Sequence, residues 1–242
     1  MKHYILFIVL SLLCTAGGSN AMFQSDTLAA AKGPIVLTFI GHGSLMIQFG
    51  KMVTYIDPVS EYADYARMPR ADLILVTHAH SDHLDPKAIR QLRQPATRMV
   101  AAPVCHDLLP EADLLRNGEN LRIGELEILA VPAYNLLHKR PDQQPFHPKG
   151  EGNGYLLHFG GKSIYVAGDT ENIPEMKALK GIDVAFLPMN LPYTMTPEMV
   201  ADAARAFQPL ILYPYHYGNT DVRKLTELLK GEKIEVRIRE LH

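Results

Sequence analysis

Thiols are nearly absent from this chain. Its 242 residues hold two cysteines, Cys14 and Cys105. Any metal chemistry must therefore run on imidazole and carboxylate rather than thiolate. No basic stripe stands out, the net charge is −2 and the pI is about 6.6, so nothing argues for nucleic acid as a partner. Internal repeats, low-complexity tracts and linkers are missing too. At 242 residues and 47% hydrophobic composition, that leaves one domain with one sizeable core.

The N-terminus is read separately. "MKHYILFIVLSLLCTAGGSNA" carries Lys2, the apolar run Ile5 to Leu13, and small residues ending at Ala21. A basic start, a short apolar stretch and a small-x-small end form a secretory signal, with cleavage expected after Ala21. The run is too short to span a bilayer comfortably. An uncleaved anchor and lipidation at Cys14 are the rivals; Leu13 stands where lipidation wants a small residue. The mature chain keeps 23 basic and 26 acidic residues, a net charge of −3, and only Cys105. It can form no internal disulfide.

Residues 22–33 read as a flexible lead-in. Strands are expected at 35–40, 44–49 and 52–57, punctuated by Gly41, Gly43 and Gly50. "DLILVT" (72–77) is nearly all apolar, which suits a central strand buried on both faces. Asp85-Pro86 then supplies a cap and a first-turn proline for a helix to about Arg93. Further strands are expected at 98–102, 120–123, 125–131, 154–159, 162–167, 184–189, 210–213 and 234–239. Helices are expected near 104–109, 173–180, 196–207 and 220–230. Hairpins first and helices interleaved later suit two packed sheets with helices outside, within a single domain over 34–242.

What the chain does have is histidine, eleven in all, and three of them fall in "THAHSDHLD" (77–85) with two aspartates. In extended backbone, side chains two apart point the same way, so His78 and His80 project together; a helix would separate them by roughly 200°. Asp82 and His83 follow where the chain turns into the next helix. His-x-His-x-Asp-His can thus serve two metals a few ångströms apart. Other candidates share the position just past a strand: Asp169 in "YVAGDT" and His216 in "YPYHYG". His147 in "PFHPKG" lies in a loop before a strand.

These motifs resemble those of the metallo-β-lactamase-fold superfamily, an α/β class built as a four-layer αββα sandwich. The likeness covers about residues 34–240. "GHGSLMIQ" and "PYTMTPE" are similar to the branch containing L-ascorbate-6-phosphate lactonase. The resemblance implies that His78, His80 and a middle histidine bind one metal, that Asp82, His83 and His216 bind a second, and that Asp169 bridges them. The middle ligand is read as His147, with His138 the rival. Aspartate at 169, where true β-lactamases of this fold usually carry cysteine or histidine, turns the reading toward lactonase-like and phosphodiesterase-like hydrolases. The implied cofactor is a pair of divalent ions, zinc by default, with iron or manganese compatible with the same donors. The implied chemistry is attack on a small-molecule ester, lactone or phosphodiester by hydroxide bridging the two metals, with Asp82 or Asp169 orienting it or relaying its proton. An iron-dependent oxygenase on the same ligands and a non-catalytic metal-binding member of the fold are the alternatives.

The remaining polar residues are more ambiguous. His42 in "GHG" is a turn residue or a pocket group, with direct ligation ranked below both. Asp57 caps a turn or orients a ligand histidine. Lys149 meets a substrate anion or is simply exposed, and Asn190, Tyr193 and Tyr217 line the pocket or do not. His106, His158 and His242 are read as structural or solvent-facing, and Cys105 as a small buried residue. The location expected is periplasmic or secreted, with no membrane span after cleavage. Mass spectrometry of the protein recovered from a secreting host should find Met22 at the N-terminus; an intact Met1 or a lipid on Cys14 would refute that cleavage.

Overall fold

The computed structural model describes residues 23–241. The expected signal over residues 1–21 and His242 lie outside the described residues. Two seven-stranded sheets make up the frame. The first runs in sequence order: β1 (Gln24–Leu28), β2 (Ile35–Gly41), β3 (Ser44–Phe49), β4 (Met52–Ile56), β5 (Leu73–Val76), β6 (Arg98–Ala101) and β7 (Asp113–Leu114). The second holds β8 (Asn120–Ile123), β9 (Leu126–Ala133), β10 (Gly152–Phe159), β11 (Lys162–Val166), β12 (Val184–Pro188), β13 (Ile211–Tyr215) and β14 (Glu235–Val236), in reverse order across the sheet. Helices α1 (Pro86–Leu92), α2 (Pro174–Lys177), α3 (Pro197–Phe207) and α4 (Arg223–Leu228) complete it.

The period of two in the strands sorts side chains into layers. On β5, Leu73 and Leu75 point between the sheets, while Ile74 and Val76 point outward to Ala88, Ile89 and Leu92 of α1. Between the sheets Phe39 meets Phe186 and Tyr213, at ring centroid separations of 6.2 and 5.1 Å. Beyond the second sheet, Phe207 of α3 meets Tyr165 edge-on. The result is the expected αββα sandwich. α1 and α3 start as their sequences dictate: the Asp85 carboxylate accepts from Lys87 N–H and the Thr196 hydroxyl from Met199 N–H, with a proline in the first turn of each.

Strand direction positions the site. β4 to β7 pair in parallel, and so do β11 to β14. Two antiparallel steps bring β2 and β9 into the same sense as β4 and β11. The C-terminal ends of six strands therefore open on one edge of the sandwich. The two sheets are stitched there: Tyr155 Oη donates to the Val76 carbonyl at 2.7 Å, and Asn153 N–H to the Thr77 carbonyl at 2.9 Å.

Several expected elements differ. The lead-in at 22–33 contains β1, an edge strand antiparallel to β2. A short polar-alternating segment shows little of this in sequence, because its partner is remote: Asp26 accepts from Tyr213 Oη at 2.5 Å and from the Arg239 guanidinium at 2.6 and 2.8 Å. The helix expected near 104–109 is a 3-10 turn over Pro103–Cys105, extended by Leu108 and Leu109 N–H to the Cys105 carbonyl and stopped by Pro110. The last strand shortens to β14, after which Arg239 turns back to Asp26. Helices α2 and α4 are also shorter than expected. β7 is too short to carry a period.

Asp26 ties the first strand to the last segment of the chain. Burial works against its charge, but Arg239, Tyr213 and Arg237 overcome this and hold its carboxyl below the usual range. The stabilisation is therefore full above the unfolded value of about 3.9 and is lost as pH falls through the lower folded value. Asp26→Asn should cost about 1–3 kcal/mol at pH 7 in denaturant titrations, and the gap from wild type should close below pH ~4. A gap unchanged down to pH ~3 would mean that the charge is not what holds the strand.

Candidate metal centre

His42, Asp57, Thr77, His78, Asn135, Asp169 and His216 all leave the ends of strands at the common edge, and His80, Asp82 and His83 lie in the turns between β5 and α1. His147 sits in the loop between β9 and β10, its N–H held by Asn135 Oδ1 at 3.0 Å. Three groups of donor atoms converge, each within 4.8 Å: His42, Asp82, His83 and His216; His78, His80 and His147; and His78, His83 and Asp169. Asp169 is central. Its carboxylate lies 3.2 Å from His147 Nε2, 3.4 Å from His83 Nε2, 3.4 Å from His216 Nε2 and 4.0 Å from His78 Nε2. Asp82 lies 3.3 Å from His42 Nε2 and 3.5 Å from His216 Nε2.

Backbone geometry is bent to achieve this. His42, Asp57 and His216 all have left-handed φ, at 52°, 46° and 45°, a conformation costing about 1–2 kcal/mol for a residue with a Cβ. The bends are locked from both sides: His216 N–H donates to the His42 carbonyl at 3.1 Å, and Ser44 Oγ to the Asp57 carbonyl at 2.5 Å. Two glycines make room. A Cβ on Gly43 would fall 2.9 Å from the His83 ring, and one on Gly168, at φ +65°, 2.5 Å from the Asn153 carbonyl oxygen.

The tautomers follow from the hydrogen bonds. Asp57 is buried and accepts from Thr77 N–H at 2.8 Å, Thr77 Oγ1 at 2.6 Å and His83 Nδ1 at 2.7 Å. The single Thr77 hydroxyl proton is used on Asp57, so Thr77 Oγ1 accepts from His78 Nδ1 at 3.0 Å. Asn135 Nδ2 donates to Glu171 at 3.1 Å and to the Tyr193 carbonyl at 2.9 Å. Its Oδ1 must then face His147 and accepts from Nδ1 at 2.6 Å. With protons placed on Nδ1 in His78, His83 and His147, all three present Nε2 lone pairs inward.

This donor set fits a cation. His83 Nε2, Asp169 Oδ1 and both ring nitrogens of His216 are buried without a hydrogen bond, and orphaned buried polar atoms are costly. Burial lowers the pKa of His78 far below the ordinary value, helped by the neighbouring His83 and His147, and burial likewise lowers that of His80. Burial opposes charge on His83, yet the Asp169 and Asp57 carboxylates prevail and raise it well above the ordinary value. Burial also opposes charge on Asp169 and Asp82, and their histidines override it, so both are held far below the carboxylate range. Neutral imidazoles beside ionised carboxylates are the protonation states that metal ligation requires.

The structure separates the ambiguous candidates. His42 stands among the donors, its ring 3.6 Å from that of His216, so ranking ligation last undervalued it; a lone histidine between two glycines gives no spacing signal. Asp57 orients His83. His138 stands outside the donor groups, with Nδ1 2.7 Å from Glu171. Lys149 is bound to Glu175 at 2.9 Å and to Tyr134 Oη at 3.2 Å. Asn190 lies against Gly218. Tyr193 reaches the site through its carbonyl, and Tyr217 Oη donates to the Arg239 carbonyl away from it. Cys105 is fully buried, and burial, then the charge of Asp57, push its thiol up to about 12. Sequence reasoning missed Thr77, Asn135 and Glu171, which carry no motif; Glu171, two residues past Asp169, was the nearest to being visible.

Residues 36–216 match the family described as the beta-lactamase superfamily domain. A UPF0173 metal-dependent hydrolase of Thermococcus kodakarensis is 33% identical over 220 residues, spanning 84% of this chain and 95% of the relative. Among solved structures, a protein of Parabacteroides distasonis described as a candidate metal-dependent hydrolase is 50% identical, with a TM-score of 0.87, covering 91% of this chain and all of the other. Igni18, a metallo hydrolase of Ignicoccus hospitalis, shares the fold at a TM-score of 0.71 and 24% identity.

His147→Ala should lower metal content by elemental analysis, whereas His138→Ala should leave it unchanged. Asn135→Ala, which frees the His147 tautomer, should weaken metal affinity about 10–100-fold by competition with a chelating dye. The reverse order for His147 and His138 would make His138 the ligand.

Proposed function

The chain belongs to the metallo-β-lactamase-fold superfamily, among the UPF0173 metal-dependent hydrolases, and from that premise we propose that it cleaves an ester, lactone or phosphodiester at a centre of two divalent metal ions, zinc by default. One observation carries the reading: six imidazoles and two carboxylates converge on one sandwich edge, with Asp169 in reach of donors from both halves of the set. His78, His80 and His147 would hold one ion; Asp82, His83 and His216 the other, with His42 beside them. Asp169 would touch both. Two such ions, when bound, supply a water acidified toward neutrality and a Lewis acid for the substrate oxygen.

The chain's own residues do the rest. Asp57, Thr77 and Asn135 hold three ligand rings in one tautomer and orientation, so little reorganisation remains for the reaction. Asp82 has a side chain 43% exposed, while Asp169 is enclosed. Asp82 is thus the carboxylate on the open side, placed to take the proton from the attacking water and pass it to the leaving oxygen. Asp169 orients the water from below. The likeness of "GHGSLMIQ" and "PYTMTPE" to the L-ascorbate-6-phosphate lactonase branch supports lactones among the substrates. The leader-like residues 1–21 support an exported enzyme acting on small molecules outside the cytoplasm.

The test is elemental analysis of the purified enzyme with ester, lactone and phosphodiester panels, run before and after chelation and re-addition of zinc. Asp169→Ala should lower kcat/KM about 100-fold or more, while the apo-protein melts within a few degrees of wild type. A variant retaining most activity would refute the bridging role. Substrate-dependent oxygen uptake with one iron per chain would replace hydrolysis with an oxygenase.

A further inference from the structure

Two loops beside the ligand cluster present large apolar side chains to solvent: Leu136 and Leu137 on one, Leu191 and Tyr193 on the other. Their apolar faces are joined. Asn135 Nδ2 donates to the Tyr193 carbonyl at 2.9 Å, and the Phe146 and Tyr193 rings meet edge-on at 5.1 Å. Both loops lead to the site, because Asn135 accepts from His147 Nδ1 and Phe146 is its chain neighbour. The leucines are held outward. The buried Glu171 carboxylate accepts the N–H groups of Leu136, Leu137 and His138, each at 2.7 Å. That pins the backbone so that Leu137 stays 72% and Leu136 47% exposed. A rigid apolar patch facing water is unfavourable on its own and marks a contact surface.

The charge pattern selects the occupant. Neither Tyr134–Leu137 nor Asn190–Met195 contains a charged residue, and the nearby Lys149 is occupied by Glu175. A phosphate on this rim would find no counter-ion in either stretch, whereas an alkyl chain would find only carbon. Anything attached to a carbonyl held at His147 must cross this surface.

We propose that the rim formed by Leu136, Leu137, Phe146, Leu191 and Tyr193 seats the apolar acyl chain of a neutral ester or lactone, which makes the chain a hydrolase of acyl esters rather than of phosphorylated sugars. This rests on the hydrolytic reading above and adds the substrate class. In the reaction the water oxygen bonds to the carbonyl carbon, the bond to the alkoxy oxygen breaks, and the alcohol leaves with a proton. The carboxylic acid keeps its chain on the rim.

The metal-loaded full protein is assayed on p-nitrophenyl acetate, butyrate and octanoate, and titrated calorimetrically with acetate and octanoate. Octanoyl ester should exceed acetyl ester in kcat/KM by about tenfold or more. Leu136→Ser/Leu137→Ser should cut that ratio at least about fivefold. Leu210→Ser, at a leucine 58% exposed away from these loops, should keep the wild-type ratio. An active enzyme with a ratio near one would overturn the rim and leave hydrolysis intact. A protein inert on every ester would refute ester hydrolysis, and the calorimetry then judges the rim separately. Octanoate binding tighter than acetate, and lost in the double variant, supports it; equal binding refutes it. If the double variant instead dissociates an oligomer in sedimentation with the ratio unchanged, the patch is a subunit interface and the proposal fails.

Discussion

Buried imidazoles whose lone pairs face one another are unstable company for each other, and this is the constraint around which the molecule is arranged. Asp57, Thr77 and Asn135 occupy the outer nitrogens of His83, His78 and His147, so the inner nitrogens cannot be satisfied by turning the rings away. Asp169 and Asp82 add negative charge to the same enclosure. A cation is the partner that relieves the imidazole lone pairs and the carboxylates at once. The raised proton affinity of His83 expresses the same demand in protonic form.

The frame exists to keep that cluster from relaxing. Parallel pairing on both sides of the sandwich carries strand ends from distant parts of the chain to one edge. Three of the residues there adopt left-handed backbone, and the core on either side of β5 holds them to it. Such local strain persists only where surrounding packing over-determines it. The Asp26 network performs a comparable task at the chain's ends, locking the first described strand against the last segment. No helix among the described residues is long and apolar enough to cross a membrane, and the leucines around the site therefore need an explanation within the catalytic edge itself.

Polar and apolar functions are divided cleanly around Glu171. Its carboxylate anchors the amide that orients His147 and, through three backbone N–H groups, the leucine-bearing turn. One buried anion thereby couples the position of a candidate ligand to the shape of the surface a substrate would cross. A charge this well hydrogen-bonded is tolerable in the interior, and removing any one of its donors would leave it under-satisfied.

The sequence by itself determined the layered α/β class, the paired projection of His78 and His80, and the strand-end positions of Asp169 and His216. All of these follow from local periodicity and from residues close in sequence, which backbone geometry fixes without help. Tertiary structure alone decided the rest. His42 joined the donor set, His147 rather than His138 faced His78 and His80, Asp57 gripped His83, and the supposed lead-in became a strand. Each of those outcomes depends on a partner dozens to some two hundred residues away, and neither hydrophobic period nor motif spacing encodes which remote strand end will arrive beside it.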